Sequence, residues 1–203
     1  MTGSIAIYGG TFSPVHNGHL AALRALADQT DAGRIYVMPT KIPPHKRLDY
    51  EDDPLRRVEM LRLALDGLGY GDRIGISDFE LRQPGVSYTY LTLTYFHDNV
   101  SPDITFLCGG DMFATLGSWK NAGIIFRLAR IAYVGRPGSD LGGMADEYRE
   151  KYGAVILPLE MEPVECSSTE IRRLASMGAD VSAYTPKAVA DYIALNHLYR
   201  KKQ

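Results

Sequence analysis

Cysteine is nearly absent. The 203 residues contain two, Cys108 and Cys166, far apart and in no Cys-x-x-Cys pair. Two thiols cannot build a disulfide framework, and a reducing compartment is their natural setting. Long apolar runs are lacking too: none approaches the ~20 residues that a membrane-spanning helix needs. The first residues, Met1-Thr2-Gly3-Ser4-Ile5, do not show the basic-then-apolar order of a secretory leader. A cytoplasmic protein with no membrane partner is expected. No sign of charge dominates: 22 Lys and Arg against 24 Asp and Glu leave a net charge of -2. That excludes a broad basic field for nucleic acid, while a local anion pocket stays open. The basic end Arg200-Lys201-Lys202 reads as a frayed, solvated tail.

What is present is ordinary for a globular protein, with 45% apolar and 23% charged residues. The length suits one domain over residues 1–203, with C-terminal helices from about residue 167 packed on it. The oligomeric state is left open, a homo-oligomer included. Short apolar runs alternate with helix-like stretches. Strands are expected at residues 5–8, 35–38, 74–77, 104–108, 131–134 and 154–157. Helical spacing joins Leu20, Leu23 and Ala27. Pro39 stops the second strand, and residues 39–52, polar and broken by prolines, read as a mobile loop. Asp53-Pro54 has the pattern of an N-cap followed by proline at the first helical position, opening a helix that buries Val58, Leu61 and Leu65. Ser87 is placed to cap a helix bearing Leu91, Leu93 and Phe96. Helices close the chain over residues 167–177 and 186–195. Such alternation implies an α/β fold: a Rossmann-like, doubly wound parallel sheet with helices on both faces. Ligands of these sheets gather at the carboxyl ends of the strands, where strand order reverses. Two strand ends carry Gly-Gly, at Gly9-Gly10 and Gly109-Gly110, and mark where to look.

The strongest motif is Gly9-Gly10-Thr11-Phe12-Ser13-Pro14-Val15-His16-Asn17-Gly18-His19, between the first strand and the first helix. Its glycines allow a tight turn and close backbone approach to a ligand. The helix start offers unpaired N–H groups and the positive end of a dipole, which suit phosphate. His16 and His19, three apart, can share a face and reach one anion. Two plainer readings stand beside this one: a capped helix start with locally bonded histidines, and a metal pair. The metal reading lacks further ligands, since zinc takes at least three from protein. The segment is neither a Gly-Lys-Ser/Thr phosphate loop nor a Gly-x-Gly-x-x-Gly fingerprint. The second motif is Ser167-Ser168-Thr169-Glu170-Ile171-Arg172-Arg173. Ser167 and Glu170 have capping-box spacing. Ser168, Thr169 and Arg172 in the first turn and a half add a second anion site, or else a solvated arginine.

Taken together, these motifs resemble the adenylyltransferase branch of the nucleotidyltransferase α/β superfamily, and more narrowly the bacterial nicotinate-nucleotide adenylyltransferases. The resemblance runs through nearly the whole chain. It includes Ile42-Pro43-Pro44-His45-Lys46, Ser87-Tyr88-Thr89, Gly110-Asp111, Trp119, and the tail from Pro186 to Ile193 with Leu198-Tyr199. It implies an enzyme joining ATP and nicotinate mononucleotide into nicotinate adenine dinucleotide and pyrophosphate. His16, His19 and Arg172 would be the catalytic set. Gly9, Gly10, Thr11, Phe12, Asp111, Ser167 and Ser168 would complete the ATP site, with Asp111 on a ribose hydroxyl. His45, Lys46, Thr89, Trp119 and Lys120 would meet the mononucleotide, with the indole stacked on the pyridine. No protein-held metal is implied; Mg2+ would be carried with ATP.

Plainer roles remain for several of these residues: a core aromatic for Trp119, a helix cap for Asp111, a helix start for residues 87–89. Two departures from the family pattern stand out. Ser13 replaces a common Asp, where support of the turn is the expected role. Lys120 replaces a common aromatic, usually Tyr. A substrate phosphate monoester is largely ionised at neutral pH, since its second proton leaves near pH ~6. No general base is then required, and no nucleophile–base–acid triad is evident. The rival readings are a sister transferase acting on nicotinamide mononucleotide or phosphopantetheine, a cytidylyltransferase, and a non-catalytic nucleotide-binding protein of the same fold.

Overall fold

A computed structural model describes residues 3–43, 53–135 and 141–200. In chain order the elements are β1 (Ile5–Gly10), α1 (Asn17–Gln29), β2 (Arg34–Pro39), α2 (Pro54–Asp66), β3 (Ile74–Ile76), α3 (Phe79–Arg82), α4 (Thr89–Asn99), β4 (Ile104–Gly109), α5 (Gly110–Phe113), α6 (Ala122–Leu128), β5 (Arg130–Val134), α7 (Gly142–Tyr152), β6 (Ile156–Leu159), α8 (Ser168–Ser176) and α9 (Lys187–Leu195). The six strands form one sheet in the order β3-β2-β1-β4-β5-β6, and every pairing is parallel. This is the doubly wound arrangement expected from the alternation.

Strand side chains alternate between faces, and the sheet separates two cores accordingly. Ala6, Tyr8, Ile35, Val37 and Leu107 face a core completed by α1, α2, α8 and α9. Ile5, Ile7, Met38, Phe106 and Cys108 face a second core completed by α4, α6 and α7. Burial on both faces is why the strands read as nearly continuous apolar runs. The order reverses between β1 and β4, which lie side by side with Tyr8 opposite Leu107. Both Gly-Gly junctions thus end neighbouring strands at the switch point.

Several boundaries differ from the sequence reading. The last strand is Ile156–Leu159, not 154–157. Gly153 adopts a left-handed conformation (φ 64°) as the cap of α7, and the Ala154 N–H bonds back to the Tyr148 carbonyl. Ala154 therefore belongs to a helix end, and the strand begins after it. Pro158 is tolerated because β6 is an edge strand. Pro39 is the last residue of β2, opposite Gly10, rather than a stop before it. In α2, Asp53 caps the helix as expected, accepting the Leu55 N–H at 2.9 Å. The inward stripe is Arg57, Met60, Leu61 and Ala64, so Val58 and Leu65 are only partly buried. Ser87 does not cap α4. The cap position falls on Tyr88, with no side-chain bond, because the Ser87 hydroxyl accepts the Lys41 N–H at 3.1 Å. Leu91 of that helix is exposed, while Leu93 and Phe96 are buried. Helices α6 and α7 were not expected from the sequence.

Candidate active site

The loop after β1 is held from every side. The carbonyl of Thr11 accepts from Arg57 Nη1 at 2.9 Å, that of Ser13 from Arg172 Nη1 at 2.7 Å, that of Pro14 from the Ser168 hydroxyl at 2.9 Å, and that of Val15 from the Thr185 hydroxyl at 2.8 Å. The Asn17 N–H donates to the Tyr184 carbonyl at 2.9 Å. Buried backbone polar groups must be paired; here α2, α8 and the segment before α9 supply the partners. The segment turns through Phe12, whose φ is +50°. A Cβ on Gly10 would lie 2.9 Å from the buried Phe12 ring, so any other residue there would have to displace that ring. The ring itself is buried, edge-on to Tyr8 at 5.4 Å and to His19 at 5.0 Å. Ser13, the departure from the family pattern, is 2% exposed with its hydroxyl 3.3 Å from the Tyr199 phenol. That matches a role in supporting the turn.

His16 and His19 start α1 as a reciprocal pair. His16 is the N-cap, and its Nδ1 accepts the His19 N–H at 3.3 Å. Nδ1 of His19 accepts the His16 N–H at 3.2 Å. The rings stack with centroids 3.6 Å apart. The capping reading and the paired-imidazole reading therefore hold together. An Nδ1 that accepts a backbone N–H carries no proton, so each neutral ring has its proton on Nε2. Burial pushes the His16 pKa down to about 4. Burial, and then the neighbouring His16, push His19 well below the usual histidine range. The pair thus presents two neutral N–H donors. Gly18 lies between them because a Cβ there would come within 3.2 Å of the His16 ring and 3.3 Å of Cys166 Sγ.

The second motif meets the first. Ser167 caps α8 by accepting the Glu170 N–H at 3.1 Å. The Glu170 carboxylate pairs with Arg173, so of the two capping-box bonds the helix start uses the one from the Glu170 N–H to the Ser167 hydroxyl. Ser168 and Arg172 reach across to the β1 loop, and Arg172 Nη2 also donates to the Thr169 hydroxyl at 3.1 Å. Cys166 lies with Sγ 3.2 Å from His16 Nδ1 and accepts the Gly18 N–H. Burial raises its thiol pKa, so it is a protonated donor to the ring. Asp111 is exposed in α5, directly after β4, the strand that pairs with β1 at the switch point.

The residues expected to meet the mononucleotide form a second group. Thr89 opens α4. Trp119 is partly exposed and packs on the second core, its indole N–H 3.4 Å from the Thr115 hydroxyl. Lys120 Nζ sits 4.3 Å from the centre of the Tyr88 ring, a cation–π contact that joins the two loops. His45 and Lys46 lie outside the described residues. Sequence reasoning missed Arg57, Glu80 and Cys166. Arg57 had a signal: a charged residue in register with Met60, Leu61 and Ala64 on the inward face of α2. Cys166 and Glu80 had none.

A doubly wound parallel sheet with an imidazole pair and an arginine-bearing helix start at its switch point defines a nucleotidyltransferase of the α/β class. The cytidylyltransferase-like family model matches residues 7–174. A Clostridium perfringens (strain SM101) protein, named as a probable nicotinate-nucleotide adenylyltransferase, is 31% identical over 98% of both chains. One of the same name from Roseiflexus sp. (strain RS-1) is 34% identical, covering 97% of this chain and 98% of its own. The chain belongs to the nicotinate-nucleotide adenylyltransferase family. The solved Plasmodium falciparum nicotinic acid mononucleotide adenylyltransferase complexed with NaAD has the same fold, with a TM-score of 0.78, 19% identity and 97% of each chain covered.

Proposed function

We propose that the chain transfers AMP from ATP to nicotinate mononucleotide, forming nicotinate adenine dinucleotide and pyrophosphate in NAD biosynthesis. The observation that carries this reading is the convergence of the His16–His19 pair, Ser168 and Arg172 on one loop at the sheet's switch point. A phosphate oxygen of the mononucleotide attacks the α-phosphorus of ATP. The new P–O bond forms as the bond to the β-phosphate oxygen breaks, and pyrophosphate leaves. The acceptor is already ionised, so the protein's work is alignment and charge stabilisation. His16 and His19 donate Nε2–H to the transferred group and Arg172 takes the triphosphate tail. Asp111 accepts from a ribose hydroxyl. Gly9, Gly10, Thr11, Ser167 and Ser168 line the phosphates, and Phe12, with its ring buried, offers only backbone. Thr89, Trp119 and Lys120 hold the pyridine end, and His45 and Lys46 act from outside the described residues. Magnesium enters as MgATP. Among the described residues no group of three or more His, Cys, Asp or Glu side chains is gathered as a cage.

No helix of the described residues is long and apolar enough to cross a membrane; the cytoplasm, where ATP and mononucleotides meet, is the proposed location. The test is pyrophosphate release from MgATP with a panel of acceptors. Nicotinate mononucleotide is expected to be used best. Release with phosphopantetheine alone, or none with any acceptor, overturns the proposal.

A further inference from the structure

Arg57 belongs to none of the motifs above, yet it is 1% exposed at the inner face of α2. Its Nη1 donates to the Thr11 carbonyl at 2.9 Å and to the Thr40 carbonyl at 2.8 Å. Those carbonyls belong to the loops that leave the carboxyl ends of β1 and β2. The loops are tied to one another as well, the Thr40 N–H donating to the Gly10 carbonyl at 2.9 Å. From Thr40 the link continues toward α4. The Lys41 N–H bonds the Ser87 hydroxyl at 3.1 Å, the Ser87 N–H bonds the Ile42 carbonyl at 3.0 Å, and Lys41 Nζ bonds the Gln83 carbonyl at 2.8 Å. Beneath this segment Glu80, 7% exposed, accepts from the Thr92 hydroxyl at 2.8 Å. A continuous chain of hydrogen bonds thus runs from the loop that bears the histidines, through Arg57 and Thr40, to the residue before Tyr88-Thr89.

We infer that Arg57 is a positioning residue that holds the ATP loop and the acceptor-side segment in one register. The physical case rests on cost. A guanidinium carried out of water is expensive, and apolar side chains of similar volume often serve stability as well or better. One buried at the junction of two substrate loops, bridging a carbonyl from each, supplies geometry: a rigid planar donor fixes the distance between them. In-line transfer between two bound substrates depends on that distance, and a misplacement of about 1 Å in such an arrangement can cost on the order of 10²-fold in rate. Arg57 touches no reacting atom; it acts through Thr11 and Thr40.

The inference rests on the proposed adenylyl transfer for its rate readout, so the test has a second readout that does not. Arg57→Met and Arg57→Lys are compared with the wild type, at a temperature where each is fully folded. The measurements are kcat for pyrophosphate release, Kd for MgATP, and amide hydrogen exchange. For Arg57→Met, kcat should fall on the order of 10- to 100-fold, by a larger factor than Kd for MgATP rises. Exchange should quicken at the Thr40 and Ser87 amides and stay unchanged in β4. Arg57→Lys should recover part of kcat, since one ammonium can still reach a carbonyl. Wild-type kcat in folded Arg57→Met overturns the inference, and so does unchanged exchange at Thr40 and Ser87. If Arg57→Met does not fold, Arg57→Lys is judged by the same two criteria, with wild-type kcat or exchange again overturning it. A wild type inactive on every acceptor sinks the proposed function, and the exchange measurement alone then decides whether Arg57 couples the loops.

Discussion

His16 and His19 each spend Nδ1 on the other's backbone N–H, which leaves the two Nε2–H groups as the chemistry they can offer. Preorganised donors of this kind stabilise charge that develops in a transition state. His19→Ala should therefore lower kcat on the order of 10²-fold or more, and lose about 1 kcal/mol of stability with the cap contact. The fold survives that loss; near-normal turnover in the folded variant would remove the phosphate role. The same burial sets a pH dependence. In the unfolded chain histidine takes up a proton below about pH 6.5, whereas folded His16 resists until about pH 4. Between those values the unfolded state binds more protons, so stability falls as pH drops through that window and is fully present above it. Denaturant midpoints should decline from about pH 7 to about pH 5, and His16→Asn, which keeps a capping oxygen but cannot titrate, should decline less. Equal slopes for the two proteins would contradict the assignment. The neutral, paired state of the rings was not legible in the motif. Residue types and spacing suggested donors, but only the reciprocal cap shows which nitrogen donates.

At the scale of elements, α8 matters because its first turn crosses to the β1 loop. Arg172 grips the Ser13 carbonyl and Ser168 the Pro14 carbonyl, so the helix start and the loop are joined, and in the proposed reading they face one anion together. Arg172→Ala should weaken MgATP binding and turnover far more than mononucleotide binding, as isothermal titration with each substrate alone would report. Equal losses for both substrates, or none, would refute the assignment. Where element boundaries differ from the sequence reading, one reason is a local helix cap and two are tertiary. Ala154 and Val155 look like strand residues, but the left-handed Gly153 draws Ala154 into the end of α7. Ser87 has the identity of a cap and is used instead to receive the Lys41 N–H. The inner stripe of α2 sits one residue away from the apolar pattern because Arg57 turns inward to reach two carbonyls. For Ser87 and Arg57 a distant hydrogen-bond partner overrode a sound local signal, and one sequence carries little information about distant partners; at Ala154 the deciding signal was local, a glycine closing a helix.

For the molecule as a whole, alternation of strand and helix foretold a parallel sheet, yet not that β1 and β4 are neighbours. That adjacency is what brings Gly9-Gly10 and Gly109-Gly110 to one edge. In the proposed reading it separates an ATP side, built from α1 and α8, from an acceptor side, built from α4 and the loop bearing Trp119 and Lys120. The two sides make different demands on a substrate. Stacking on Trp119, as proposed, would treat nicotinate and nicotinamide alike, so discrimination would fall to groups that meet the carboxylate. Backbone N–H groups near Thr89 and after Trp119 would be one source, through charge-assisted hydrogen bonds. Lys120, the departure from the family pattern noted above, would be a further source if its charge is not simply solvated: its ammonium lies over Tyr88, next to Thr89. The wild type should accordingly show a higher kcat/KM for nicotinate mononucleotide than for the amide. Lys120 is exposed, so its charge is largely screened, and Lys120→Met should cost only about two- to fivefold with nicotinate mononucleotide while leaving the amide unchanged. Trp119→Ala should raise KM for both mononucleotides with little effect on MgATP. If the amide is used as well as the acid by the wild type, the pyridine assignment fails. The ATP side would stand even then, because no contact described for His16, His19 or Arg172 passes through Trp119 or Lys120.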